Sequence, residues 1–205
     1  MSFSTYKTFN VVHLYPYWAE KPKDQLLNPE AHHDNPLGFT YRDSYQTYPQ
    51  YKAMHSYACN GRDKIADIND LFDTLLGRYG NLWFPSWRHD IELLADISAV
   101  ATSINITDID YPDFYPATPG TGRYIFIYVN QTTWFAREVT GFPGAEWMTI
   151  DSALGQAVSV AQCEMICFLY LGRFAIDEIE WKYVTPSIAI TELHFIETPE
   201  EYALL

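Results

Sequence analysis

The chain has 205 residues, which suits one or two domains. It is 48% apolar and 19% charged, values of a globular protein rather than a disordered one. Twenty-six acidic residues against 13 basic give a net charge of −13, which argues against a protein that grips a phosphate backbone through clustered Lys and Arg. The 17% aromatic share, with 16 Tyr, 12 Phe and 6 Trp, fits a buried sheet protein or an interaction surface. Cys59, Cys163 and Cys167 are an odd number without a CxxC pair, so no disulfide framework is expected. The first residues lack an apolar h-region, so no signal peptide is read. The longest apolar run, 165–171, is too short to span a bilayer.

In chain order, 9–17 reads as a first strand stopped by Pro16. Residues 25–51 carry Pro29, Pro36, Pro49 and many Tyr, and read as an irregular arm or long hairpin that a partner orders. Alternation from Tyr51 to Cys59 predicts a strand. Ile65, Ile68, Leu71, Phe72, Leu75 and Leu76 then recur at three- and four-residue steps, the buried face of one amphipathic helix near 63–77. Asp63 is the expected cap, and Gly77 the left-handed C-terminal residue. A turn leads into the aromatic block Trp83-Phe84-Pro85-Ser86-Trp87, and from Asp90 a period of two places Ile91, Leu93, Ala95 and Ile97 on one side of a further strand.

Another strand is expected at 103–107. The Pro- and Gly-rich stretch 108–122 is the best linker between an N-terminal β part, 1–108, and a C-terminal sandwich or barrel-like part, 123–205. Strands are predicted at 123–129, 133–139, 147–151, 157–160, 164–171, 178–183 and 188–196, with a hairpin loop at 130–132 and a solvated acidic tail at 197–201. The expected fold is mainly β (α+β): antiparallel sandwich or barrel-like sheets with one helix.

Candidate chemistry is thin. Ser86, His89 and Asp90 are the residue types of a hydrolase triad, but they lie within five residues, where strand geometry throws neighbours to opposite faces, and Ser86 lacks the GxSxG elbow. His32, His33 and Asp34, with His13, His55 or His89, match no zinc spacing. Cys163 and Cys167 sit in a strand-like context with both side chains on one face, and read as core. Residues 119–123, Pro-Gly-Thr-Gly-Arg, lack the ending of a phosphate loop and lead into a strand rather than a helix. No catalytic residue, metal or cofactor is therefore expected.

The residues Arg62, Phe72, Gly77, Arg78, Trp83, Phe84, Trp87 and Asp90 form a pattern of helix, Gly-Arg turn, aromatic block and Asp. That pattern resembles the N-terminal part of distal tail proteins, the tail-tip proteins of long-tailed, siphophage-like bacteriophages. A second stretch, 168–177 with Arg173 and Asp177, followed by 178–181 and 188–197, is similar to the ending of such virion proteins. The 25–51 arm departs from the family pattern. The resemblance implies a structural virion protein at the tail tip, made in the host cytoplasm. Copies would close into a hexameric ring joining the last tail-tube ring to the hub or baseplate, with the genome passing through the lumen without specific binding. The alternative reading is a carbohydrate- or receptor-binding β-sandwich module of a tail, with Trp134 or Trp147 as the stacking residue.

Overall fold

The computed structural model describes residues 3–27, 30–34, 38, 40–44, 49–114 and 120–205. Pro29, Pro36, Asn35, Pro116 and Pro119 of the two Pro-rich stretches lie outside the described residues, and the side chains of His32, His33 and Asp34 are not described. The chain is mostly β. β1 (Thr5–Tyr6) and β2 (Phe9–Val11) form a short hairpin, β3 (Lys23–Leu27) follows, and β4 (Glu30–Asp34) pairs with β5 (Thr40–Ser44). Where the stretch 25–51 is described it holds the end of β3, paired with β6, and the β4–β5 hairpin, the second of the two forms expected for it.

β6 (Gln50–Asn60) leads into helix α1 (Arg62–Thr74). The corner is Gly61, whose φ of 109° is open to glycine at little cost and whose N–H donates to Ser187 O at 2.8 Å. Gly61 therefore occupies the N-cap position, and Asp63, expected as the cap, lies inside the first turn, where it complements the helix dipole instead. At the other end Gly77 adopts the expected left-handed conformation, φ 64°, and its N–H returns to Phe72 O at 3.0 Å.

β7 (Leu82–Pro85), β8 (Ser103–Asn105), α2 (Tyr111–Phe114), β9 (Tyr124–Asn130), β10 (Thr133–Gly144), β11 (Trp147–Ile150), β12 (Met165–Phe174), β13 (Trp181–Thr185) and β14 (Ile188–Glu197) complete the fold, with a 3-10 turn at Pro199–Leu204. All ladders are antiparallel except β2 on β7. The long strand predicted from Asp90 is replaced by isolated bridges, Ile91 to Ile166, Leu93 to Ile106 and Ile97 to Val158, and Ala95 is exposed. Those bridges close β12, β9, β10, β11 and β8 into a small barrel. Its interior is aliphatic, with Ile104, Ile125, Ile127, Val139, Met148 and Ile166 all buried.

Two further cores lie on opposite faces of β7 and β12. On one face α1 lays Ile65, Ile68, Leu71 and Leu75 over Tyr57, Cys59, Ala189, Leu193 and Phe195. On the other, Trp83, Trp87, Leu169 and Leu171 meet Tyr124, Phe126 and Tyr128 of β9, whose alternate residues face the barrel interior. Each large side chain buried this way contributes roughly 2–3 kcal/mol. Trp83, Phe84 and Trp87, candidates for an interface as well as for core, are fully buried core residues.

The stretch 108–122 is tied down where described. Tyr111 is fully buried against Phe142 and Phe168, and its hydroxyl donates to Gly122 O. The acidic end, expected to be a solvated tail, is anchored too. Glu197 is fully buried and accepts hydrogen bonds from Tyr51 N–H at 3.1 Å, the Tyr202 hydroxyl at 3.0 Å and Thr121 Oγ. Burial of Tyr202 supplies the apolar anchor that a purely charged reading of this segment overlooks.

β12 pairs with β7 along one edge, and with β9 and then β14 along the other. The crossover is Gly172, opposite Leu82 on one side and Glu197 on the other. A Cβ there would lie 2.2 Å from Ile196 O and 2.7 Å from Phe84 Cε1. Gly172→Ala should therefore lower stability by about 3 kcal/mol through overpacking against backbone that cannot yield. The check is the urea midpoint, which should fall with an unchanged slope.

Candidate assembly surface

The two stretches that carry the family resemblance meet in space. Asp177 Oδ1 accepts the Arg78 N–H at 3.0 Å, and Arg78 Nη1 lies 3.8 Å from Asp177 Oδ2. A Cβ on Gly77 would approach the same Asp177 oxygen to 3.0 Å, so the glycine lets the helix end dock on this carboxylate. Both charged side chains are more than half exposed, so their ion pair adds little beyond the backbone cap. Phe72 is half-buried on Phe174, with ring centroids 5.2 Å apart. Arg62 is exposed at the start of α1, and Arg173 Nη2 lies 3.8 Å from Glu201 Oε1.

Asp90 has a structural role visible in its partners. Its Oδ2 accepts the Phe168 N–H at 2.9 Å and the Ser86 hydroxyl, stitching the aromatic block to β12. Ser86 thus donates directly to the carboxylate, while His89 is exposed and stands outside that hydrogen bond. A triad needs the imidazole between hydroxyl and acid, and this geometry lacks it. Cys167 is fully buried and Cys163, which precedes β12, packs toward the barrel core, so the two do not share a strand face as expected. Burial pushes the Cys163 thiol up to about 11 and the Cys167 thiol up to about 12. Both are poor nucleophiles there. Among the described residues, no group of three His, Cys, Asp or Glu side chains is placed to hold a metal ion.

Of the tryptophans considered for sugar stacking, Trp134 is stacked on His13 with centroids 5.1 Å apart, and Trp147 is 44% exposed. No helix among the described residues is long and apolar enough to cross a membrane.

The surface that stands out is the open sheet β3-β6-β14-β13. Among the described residues, no strand pairs with the outer edge of β3 or of β13. β3 is pinned from below by Asp24, 3.0 Å from Arg88, whose guanidinium sits over the Tyr51 ring. Helix α1 covers one face of the sheet. The other face carries Lys23, Met54, Ser56, Glu192 and His194, with Ser56 bonded to Glu20 at 2.8 Å. A groove of about 310 Å³ runs along that face, lined by Glu20, Glu178, Glu180, Lys182, Glu192 and His194. On the helix side a notch of about 550 Å³ opens beside β13, lined by Arg62, Ile65, Ala66, Asn69, Tyr183 and Pro186.

These edge residues are missed in the sequence because Lys23 and Asp24 fall before the 25–51 arm and Leu26 falls inside it. The signal that exposes them is Leu26, an apolar residue 76% exposed on a strand with a free edge. Arg62 alone of the sequence-based candidates lies at this surface.

No family model matches the chain, and no curated protein matches it.

Beneath α1, His55 is fully buried, and neither ring nitrogen has a hydrogen-bond partner. Burial holds its pKa down to about 4, against an ordinary value of 6.5. The unfolded chain takes up a proton near pH 6.5 that the folded chain refuses until about pH 4, so acidification across that window costs stability. Relative to His55→Phe, the wild type should lose roughly 3 kcal/mol between pH 7 and pH 4, levelling off below that. Paired urea titrations at the two pH values measure it. A difference that stays constant with pH would contradict the buried, neutral imidazole.

Proposed function

We propose that this chain is a structural, non-enzymatic virion protein. It is a ring subunit at the tail tip of a siphophage-like particle, joining the tail tube to the hub or baseplate, and copies of the chain are its first partners. The observation that carries the reading is the four-stranded open sheet with two free edges. Sheet proteins ordinarily cover, shorten or charge their edges, because an exposed ladder recruits another strand. Here both outer strands are five residues long, and Pro22 and Pro186 stand just outside them, so neither ladder is interrupted by a proline of its own.

The parity of the sheet favours head-to-tail pairing. β3, β6, β14 and β13 alternate in direction, so an even number of antiparallel strands places β3 of a rotation-related copy antiparallel to β13 of the first. The same rule repeats around a ring without reversing any strand, as a heterologous interface requires. With α1 outside, the face bearing Glu20, Glu178, Glu180 and Glu192 would line the lumen. An acidic lining repels a polyanion and so lets a genome pass without holding it.

The test is the native mass of the purified protein at micromolar and higher concentrations, followed by imaging of the particles. The expected outcome is a closed assembly of six times 23.7 kDa. A chain that stays monomeric throughout and is missing from purified virions would overturn the reading. Saturable glycan binding by such a monomer, lost in Trp147→Ala, would instead support a carbohydrate-binding tail module.

A further inference from the structure

We infer that the β13 edge is a two-sided socket for the β3 edge of a second copy of this chain, with Leu26 seated in the notch beside α1 and Lys23 laid against the acidic groove on the opposite face. The inference rests on the ring reading and names the residues that make the joint.

The faces decide which residues can meet. Directly opposed residues of an antiparallel ladder point to the same side of the sheet. Leu26 opposes Tyr51, which packs in the core beneath α1, so Leu26 points to the helix side. Tyr183 opposes Ala189 of that same core, so it also points to the helix side, where it forms one wall of the notch. Lys23 opposes Met54, which opposes His194, so Lys23 points to the groove side. A β3 strand added to β13 therefore brings its exposed leucine to the apolar pocket and its lysine to the carboxylates, whichever register it adopts in steps of two residues.

Among the described residues, no strand pairs with either half of the joint. Leu26 is 76% exposed and Tyr183 62% exposed, one on each outer edge of the sheet. Ile65, Ala66, Tyr183 and Pro186 line the notch together with Arg62 and Asn69, and 550 Å³ is ample for a leucine side chain. On the other face, Glu178, Glu180 and Glu192 outnumber Lys182, the one lysine in the groove, so an arriving Lys23 meets net negative charge. In a chain of net charge −13, a random encounter between two copies is repulsive. A lysine placed where the acidic groove opens is the kind of complementarity that orients one copy on the next.

Three measurements test the socket in the full-length protein. Leu26→Asp buries an unpaired carboxylate if the notch is occupied, and should raise the concentration for half-maximal assembly at least tenfold. The monomer should unfold at the wild-type temperature, since the side chain is exposed. Lys23→Glu should weaken assembly alone and recover it with Glu180→Lys in the same chain, because the two meet only across copies. In a Cys163→Ser background, Leu26→Cys combined with Ala66→Cys should give a ladder of covalent oligomers with a short bismaleimide, whereas either cysteine alone gives monomers. Rings of wild-type mass that form equally well in Leu26→Asp and yield no ladder would overturn the socket and leave the ring reading standing. A wild-type chain that never assembles would overturn both.

Discussion

Everything in this fold is referred to β12, a ten-residue strand that belongs to all three cores. Ile166 faces the barrel interior, Cys167, Leu169 and Leu171 face the aromatic layer, and Tyr170 and Phe174 face the helix. A strand with two buried faces must be apolar nearly throughout, and 165–171 is. The cost of sharing it is geometric. Where the partner on one edge changes from β9 to β14, the incoming strand passes so close that only a residue without a side chain fits, and Gly172 stands there. The barrel and the open sheet are thereby held in one fixed relation, and the sheet carrying the free edges inherits the rigidity of two cores.

Much of this was legible beforehand, for identifiable reasons. The helix announced itself because one face of a 3.6-residue period carries Ile65, Ile68, Leu71, Phe72 and Leu75, although Leu76, expected on that face, lies past the helix end and is 72% exposed; Gly77 did so because a left-handed helix end wants glycine. Most strands of the second half read clearly because each is bounded by turn residues and buries at least one face, but the strand expected at 157–160 is reduced to a single bridge at Val158. Asn130 shows the principle, its side chain accepting from Thr132 N–H and Thr133 N–H to close the β9–β10 turn. What failed was whatever depended on distant partners. The segment after Asp90 alternates like a strand, yet its backbone meets β12 and β8 only at single bridges, so the pattern of burial survives without a ladder. The end of the chain looked solvated because three of its first five residues are glutamates. One of them, Glu197, is drawn inside by donors from β6, the 120–122 loop and Tyr202, none of which is near it in sequence apart from the last.

The candidate residues divided in the same way. The pairing of Arg78 with Asp177 was implicit in two separate motifs and became a contact only in the folded chain. Trp83, Phe84 and Trp87 are prominent in the sequence because they are large, and large aromatics serve a core as readily as an interface. The edge residues Lys23, Leu26 and Tyr183 are unremarkable as residue types. Their meaning lies in which edge is open, a property of topology that no local window contains.

Whether an open sheet closes into a ring or climbs into a filament is a matter of stagger. Projected on β6, strand β3 occupies 50–54 and β13 occupies 57–60, an offset of about six residues, or about 20 Å at the rise of a strand. From β3 of one copy to β3 of the next is four strand spacings, about 19 Å. In the proposed ring a rotation axis permits no net climb from copy to copy, so with β3 of one copy level on β13 of the next the strands would lean by about 45° to the axis, at the upper end of the range in which barrels close. Six copies inclined in this way would enclose a barrel on the order of 50 Å across, wide enough for a nucleic-acid duplex. Had β3 and β13 been level, closure would have required strands parallel to the axis, against the twist that sheets adopt. The offset built into a single chain is thus what a closed ring of tilted strands needs, and it arises from where β6 pairs, early in its length with β3 and late with the part of β14 that holds β13.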